Sequence, residues 1–476
     1  MAEKSSRRAF LKSLAAGGIA VALVGCSSAA PAPSPTAAPK ATQAPKPAAT
    51  AAPAPAATAA PAATQAAAGG FNWKRFSGTR VRFVNNTHDW STELVPKALP
   101  EFEQLTGIKV QWEILPENEF RQKSTLELKS SPESIDGYMS LPSWDSEAFW
   151  QSGWYEPIQK YIDNKELTNP EYDFKDFFPT CIQIATVKNT LIGVPLYPEV
   201  QLLYYNADKF KEKGVKVPET LEEFVAAAEK MYDKNANFAG YVSRGDGVQA
   251  VYTIAPFFFA LGGRWLDDKG RPQLNSEAFV KALDVYGNTL RKFGPPGIAG
   301  QQWAQNQVVF GQGQAAMNTD SSNFVSTYED PKKSKLAGKV GYATLPKGPD
   351  GIRSSLISWC LAICAKSKNK EAAWYFIQWV TSKDMVARGV KLKLPVGRQS
   401  VWNGAEFQGL MPKGWLDAFA KELPTAIPNG ANPLVAQVPE TRDAIGKAII
   451  SVIQGGDPKQ AADKAQADVL KVLGMS

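Results

Sequence analysis

The chain has 476 residues, one histidine, four cysteines and a formal net charge of +7. A metal centre or histidine-dependent triad would have to be built around that one imidazole, which argues against both, and four cysteines are too few for a disulfide framework. The charge falls away on inspection: +3 lies in the first 25 residues (Lys4, Arg7, Arg8 and Lys12 against Glu3) and +2 on Lys40 and Lys46, leaving about +2 and no basic stripe of the kind a nucleic-acid binder needs.

The N-terminus reads as an export and tethering signal. Ser6-Arg7-Arg8-Ala9-Phe10-Leu11-Lys12 fits a twin-arginine pattern, an apolar stretch from Leu14 to Val24 follows, and Leu23-Val24-Gly25-Cys26 has the form of a lipobox. The stretch is too short for a transmembrane helix, which needs roughly 20 apolar residues. Residues 1–25 are therefore expected to be removed, with Cys26 acylated and the protein held on the outer face of a membrane by lipid alone, or in a periplasm. Residues 27–70 contain 21 Ala and 9 Pro with no acidic or aromatic side chain, so they cannot form a core. Partly polyproline in geometry, this spacer could carry a folded domain on the order of 100 Å from its lipid.

From Phe71 onward the composition turns aromatic and about 400 residues remain, which suggests two or three domains or lobes. Val81 and Phe83 alternate with Arg80 and Arg82 as a first strand; a helix is expected over 94–106; Ile108, Val110, Trp112 and Ile114 alternate as a second strand. Further strands are expected at Asp136–Leu141 and Leu202–Tyr205. Thr220-Leu221-Glu222-Glu223 is a capping box opening a helix with Leu221, Phe224, Val225, Ala228, Met231 and Tyr232 on its apolar face. Another helix, near 370–381, buries Ala373, Phe376, Ile377 and Val380. Cys360 and Cys364, on one strand, would lie about 13 Å apart and cannot bridge, so with Cys181 they are expected as buried thiols. The class is α/β, with mostly parallel sheets covered by helices.

The stretch 193–224, GVPLYPEVQLLYYNADKFKEKGVKVPETLEEF, resembles the extracellular solute-binding proteins of ABC importers, in the maltose-binding-like, carbohydrate-binding branch. Three ordered segments agree: PEFEQLTGIKV (100–110), VVFGQGQAAMNTD (308–320) and VGYATLPKGPDG (340–351) followed by SKNKEAAWYFIQWVTS. The resemblance covers roughly residues 79–470. It implies a two-lobed, type II periplasmic-binding-protein fold within 71–476, one lobe at about 78–197 and 358–396 and the other at about 200–356 and 399–476. Hinge strands would cross near Tyr197–Gln201, Leu356–Ser358 and Val396–Arg398, closing the lobes on a ligand.

What the resemblance implies for function is a monomeric, non-enzymatic receptor without cofactor that captures a sugar, oligosaccharide or sugar alcohol and delivers it to the importer's permease subunits. Sugar hydroxyls need polar partners and the C–H faces of sugars favour aromatic rings. Glu199 stands where the family carries a ligand-contacting carboxylate in the hinge strand, with Gln201 beside it and Arg398 at the third crossing. Asn86, His88 and Asp89 align with the first polar binding loop and Trp90 adds a stacking face; Trp144 and Asp145 occupy a second reading loop. Tyr252 matches a stacking aromatic. Asp320 and Asn323 follow the Gly-Gln-Ala-Ala-Met segment, where many relatives carry tryptophan in place of Asn323; Trp359 is the candidate replacement. The stretch from Met317 to Lys335 is similar to relatives that take sugar alcohols or monosaccharides. Two other readings share these features: an extracellular carbohydrate hydrolase or lyase, which needs two facing carboxyls, and a binding protein that feeds a sensor.

Overall fold

A computed structural model describes residues 70–475; the export signal, Cys26 and all but the last residue of the spacer lie outside the described residues. The chain enters as β1 (Arg80–Asn86), α1 (Val95–Thr106) and β2 (Lys109–Leu115), with β1 and β2 parallel in register from Arg80 opposite Lys109 to Asn86 opposite Leu115. Val81 and Phe83 are fully buried, as alternation requires, and α1 stops where Gly107 takes a left-handed conformation (φ 74°) that returns its N–H to Glu103. One π-helical turn, Trp90–Leu94, precedes α1 in what the sequence reads as plain helix and loop.

The first sheet adds β3 (Gly137–Ser140) and receives β4 (Val194–Pro195) and β9 (Cys360–Ile363), in the order β2-β1-β3-β9-β4. The second contains β5 (Gln201–Asn206), β6 (Ala239–Val242), β7 (Ala315–Ser321) and β8 (Val340–Ala343), in the order β8-β5-β7-β6. Both sheets are mixed, not mostly parallel: β9 runs antiparallel to β3 and β4, and β5 antiparallel to β7 and β8. These antiparallel members adjoin the passages between sheets, where the chain enters from the opposite lobe and cannot keep the direction of a local β-α-β unit.

Each sheet has its own apolar core. One centres on Phe83, Tyr138, Leu361 and helix α7 (Lys370–Val380), the other on Leu203, Tyr241, Met317 and helices α4 (Leu221–Met231), α5 (Gly247–Ala260) and α8 (Val438–Ile453). Thr220 caps α4, its hydroxyl accepting the Glu223 N–H at 3.2 Å, but the box closes one residue early: the Glu223 carboxylate accepts from Glu219 instead of from the cap. Ala227 joins the buried face of α4, while Val225 is only half-buried.

The first passage runs from β4 to β5 and the second from β8 to β9. They pair with each other, Glu199 and Ile357 exchanging backbone hydrogen bonds of 2.9 Å in both directions. The third lies within 385–396, whose apolar side chains divide between the two cores. Cys181, Cys360 and Cys364 are free and buried. Among the described residues no helix is long and apolar enough to cross a membrane, and no cluster of three or more His, Cys, Asp or Glu could hold a metal ion.

Candidate functional site: a cleft between the lobes

Where the crossing strands leave the two sheets, a cavity of about 380 Å³ opens between them, within the size range of small-molecule sites. The first lobe contributes His88 and Asp89 from the turn after β1, Glu117 and Arg121 from the start of α2 (Glu117–Ser130), Trp144 from α3 (Pro142–Gln151), and Trp359 just before β9. The second contributes Arg244 beyond β6, Tyr252 on α5, Trp303 at the start of α6 (Trp303–Gly311), Asn323, Lys333, and Arg442 on α8. Glu199 lies on the crossing itself, 5% exposed.

Glu199 is held from the second lobe: Tyr252 Oη donates to Oε1 at 3.3 Å and Asn323 Nδ2 to Oε2 at 2.7 Å. Burial pushes its carboxyl up to about 7, against the nearby charge of Arg244. The only histidine is neutral. Burial lowers His88 to about 4, and Asn86, fully buried behind it, places Nδ2 3.1 Å from Nε2.

Guanidinium groups dominate the rest of the wall. Arg121 donates through Nε and Nη2 to Glu117 Oε1 at 3.1 and 2.7 Å, while its Nη1 lies 3.5 Å from Asp145 Oδ1 without a hydrogen bond. Burial alone would raise Glu117, but the charge of Arg121 holds it below the usual carboxylate range. Arg244 is locked to Asp320, its Nη2 at 2.6 Å from Oδ1 and its Nε at 3.0 Å from Oδ2. Arg442, 3% exposed, donates only to neutral oxygens: Val248 O, Ala431 O and Asn432 Oδ1. The Arg121 and Arg442 guanidiniums lie 4.0 and 4.3 Å from the Trp144 ring centre, and Arg244 lies 4.7 Å from that of Tyr252.

Of the residues expected from sequence, His88, Asp89, Trp90, Trp144, Glu199, Tyr252, Asn323 and Trp359 line this cavity. Five do not. Asn86 stands behind His88. Asp145 is buried against Ser140, the Leu141 N–H and Arg121, in the first turn of a helix where the sequence suggested a loop. Gln201 ties the crossings to α5, donating to Tyr252 O and accepting from Ser354 and Ser355. Asp320 is taken by Arg244. Arg398 faces the first lobe, donating to Thr381 O, Asp173 O and Tyr172 O, away from the cavity.

Sequence reading missed Glu117, Arg121, Arg244, Trp303 and Arg442. A signal existed for three of them. Glu117 and Arg121 are spaced i, i+4 at a helix start, and Arg442 interrupts the apolar face of α8.

The two walls also meet. Ser326 Oγ donates to Asp89 Oδ2 at 2.9 Å, Lys333 pairs with Asp89 at 3.0 Å, Trp303 Nε1 donates to Glu117 at 3.2 Å, and Asn432 Nδ2 to Ser143 O at 2.8 Å.

Residues 85–387 match the family described as bacterial extracellular solute-binding protein, nearly two thirds of the chain. The chain belongs to that family. It is 30% identical over 311 residues to a mannitol-binding protein of Pseudomonas aeruginosa, covering 64% of this chain and 68% of the relative. An erythritol/L-threitol-binding protein of Mycolicibacterium smegmatis is 29% identical over 357 residues, covering 70% and 74%. Among solved structures, an ABC transporter solute-binding protein of Agrobacterium radiobacter K84 in complex with ribitol superposes with a TM-score of 0.76 at 28% identity, covering 83% of this chain and 99% of its own. The two-lobed type II architecture of these neighbours is the one described above.

Proposed function

We propose that this member of the family is an exported, lipid-anchored receptor that captures a sugar or sugar alcohol in the interlobe cleft and presents it to the permease of an ABC importer. The observation that carries the reading is the cleft itself: a cavity on the crossing strands lined by carboxylates, guanidiniums and indoles, the groups that polyhydroxylated molecules need. The polyol binders among its relatives support the ligand class, and the Leu23–Cys26 motif with its Ala/Pro spacer supports tethering at a membrane face. The facing walls are already bridged by Asp89 and Glu117, so closure would need only small rotations about the crossings.

Thermal-shift screening of the purified chain against pentitols, hexitols, monosaccharides and maltodextrins tests ligand capture. A ligand at 100 times its dissociation constant should stabilise by about 2.7 kcal/mol. No shift across the whole panel would remove the reading. Anchoring is tested separately by Cys26→Ala, expected to move the protein from membrane to soluble fractions with ligand binding intact; retention on the membrane after signal removal would refute the lipid.

A further inference from the structure

Of the cations that line the cleft, one lacks a carboxylate partner among the described residues. Arg244 has Asp320, Lys333 has Asp89, and Arg121 has Glu117. Arg442 has no described carboxylate within ion-pair distance, although it lines the same cavity and is almost fully buried. A buried cation is ordinarily paired, because removal from water costs more than neutral hydrogen bonds return. Its position on the indole of Trp144 places it within about 8 Å of the Arg121 guanidinium, which rests on the same ring. Arg121 Nη1 is itself buried, 3.5 Å from Asp145 Oδ1, whereas Arg442 Nη2, which carries two hydrogens, has Val248 O as its one acceptor among the described residues.

Resting on the reading of the cleft as a polyhydroxy-compound site, we infer that the ligand is a monoanion, a sugar acid whose carboxylate is held at the Arg121–Trp144–Arg442 cluster. Guanidinium groups suit this partner because a carboxylate accepts two parallel N–H bonds in the plane of the fork. A hydroxyl could accept the same N–H bonds but would leave the Arg442 charge uncompensated. A phosphate is disfavoured because its second negative charge would find no unpaired cation on this wall: Arg121, Arg244 and Lys333 already face Glu117, Asp320 and Asp89. Burial, with the charges of Arg121 and Arg244, pulls Arg442 well below the ordinary arginine range against the opposing pull of Glu117 and Asp246, which is consistent with a cluster that an anion would relieve.

Calorimetry on the purified full chain tests the inference by comparing ligands matched in carbon number: ribonate with ribitol, mannonate and glucuronate with mannitol, and ribose 5-phosphate as the dianionic arm. The expected result is at least tenfold tighter binding of one carboxylate than of its neutral counterpart, with the phosphate weaker than the acid. Arg442→Gln and Arg121→Gln, made separately so that one folded variant suffices, should bring the acid-to-polyol affinity ratio toward one. Equal or tighter binding of the polyol overturns the sugar-acid inference and leaves the polyhydroxy reading standing. An acid preference untouched by either folded variant overturns the assignment to this cluster, tighter binding of the phosphate overturns the monoanion, and binding of none of these ligands overturns the inference, the reading beneath it falling only with an empty thermal-shift panel.

Discussion

Burial holds the Glu199 carboxyl up to about 7 from an ordinary 4.5, so over that interval the folded chain keeps a proton that the unfolded chain has released. Stability therefore falls as pH rises from about 4.5 to 7, by roughly 3 kcal/mol at about 1.4 kcal/mol per pH unit, and stays low above. Glu199→Gln should remove this loss: urea unfolding is expected to show the variant gaining on the parent at pH 8 relative to pH 5, and a pH-independent difference would mean the carboxyl is not held neutral. The same substitution should weaken binding ten- to 150-fold at pH 8, where the charged carboxylate would accept the ligand's hydroxyls, since hydrogen bonds to a charged group are worth about 1.5–3 kcal/mol. Unchanged affinity in calorimetry would remove Glu199 from the site. His88 works in the opposite direction. Lowered to about 4, it must be neutral to stay buried, so its share of stability is lost as pH falls from about 6.5 to 4. At this scale the sequence was readable where a residue's local setting betrays it, as with an acid between Pro198 and an apolar run. It misled where a polar side chain already had a partner distant in sequence: Asp320 looks like a ligand contact until Arg244, 76 residues earlier, is seen to hold both its oxygens.

The elements themselves were legible because period-2 and period-3.6 patterns are local. β1 and β2 fall where alternation places them, β5 on the apolar run at 202–205 and α4 after its Thr220 cap, and Thr220→Ala should cost about 1 kcal/mol in urea unfolding. How helices meet was not legible. α5 and α8 touch backbone to backbone: a Cβ on Gly247 would come 2.6 Å from the Gly446 carbonyl oxygen, and one on Gly446 would strike the Gly247 backbone in turn. This contact lets Arg442 reach Val248 O, and so carries the guanidinium to the cleft. Gly446→Ala must push the helices apart, at a cost of about 1–3 kcal/mol or more in thermal or urea unfolding. An unchanged midpoint would show that the helices do not pack so closely.

For the whole molecule, the two-lobed plan followed from four ordered segments, while the mixed sense of the sheets did not, because strand direction near a crossing depends on which lobe the chain has just left. Closure depends on contacts at the mouth. Asp89 is the knot of these, accepting from Ser326 and pairing with Lys333, and because that pair is partly exposed it is worth at most about 1 kcal/mol. Asp89→Asn should therefore shift the open population by up to about fivefold, seen as a larger radius of gyration by X-ray scattering without ligand, with compaction restored by a tight ligand. Identical scattering for parent and variant, with and without that ligand, would count against hinge closure.

The mutual backbone pairing of Glu199 and Ile357 has a kinetic meaning. A point on the axis of a hinge is displaced least when the hinge turns, so if the proposed closure turns about this pairing, the Glu199 carboxyl would stand in nearly the same place with the lobes spread and shut. In the proposed mechanism it is a landing post: the ligand is met first at the pivot, and the indoles and guanidiniums fold over it afterwards. Capture and retention then separate, and stopped-flow mixing should find the association rate of Asp89→Asn close to the parent's while its dissociation rate rises. A slowed association with unchanged release would place the first encounter at the mouth instead.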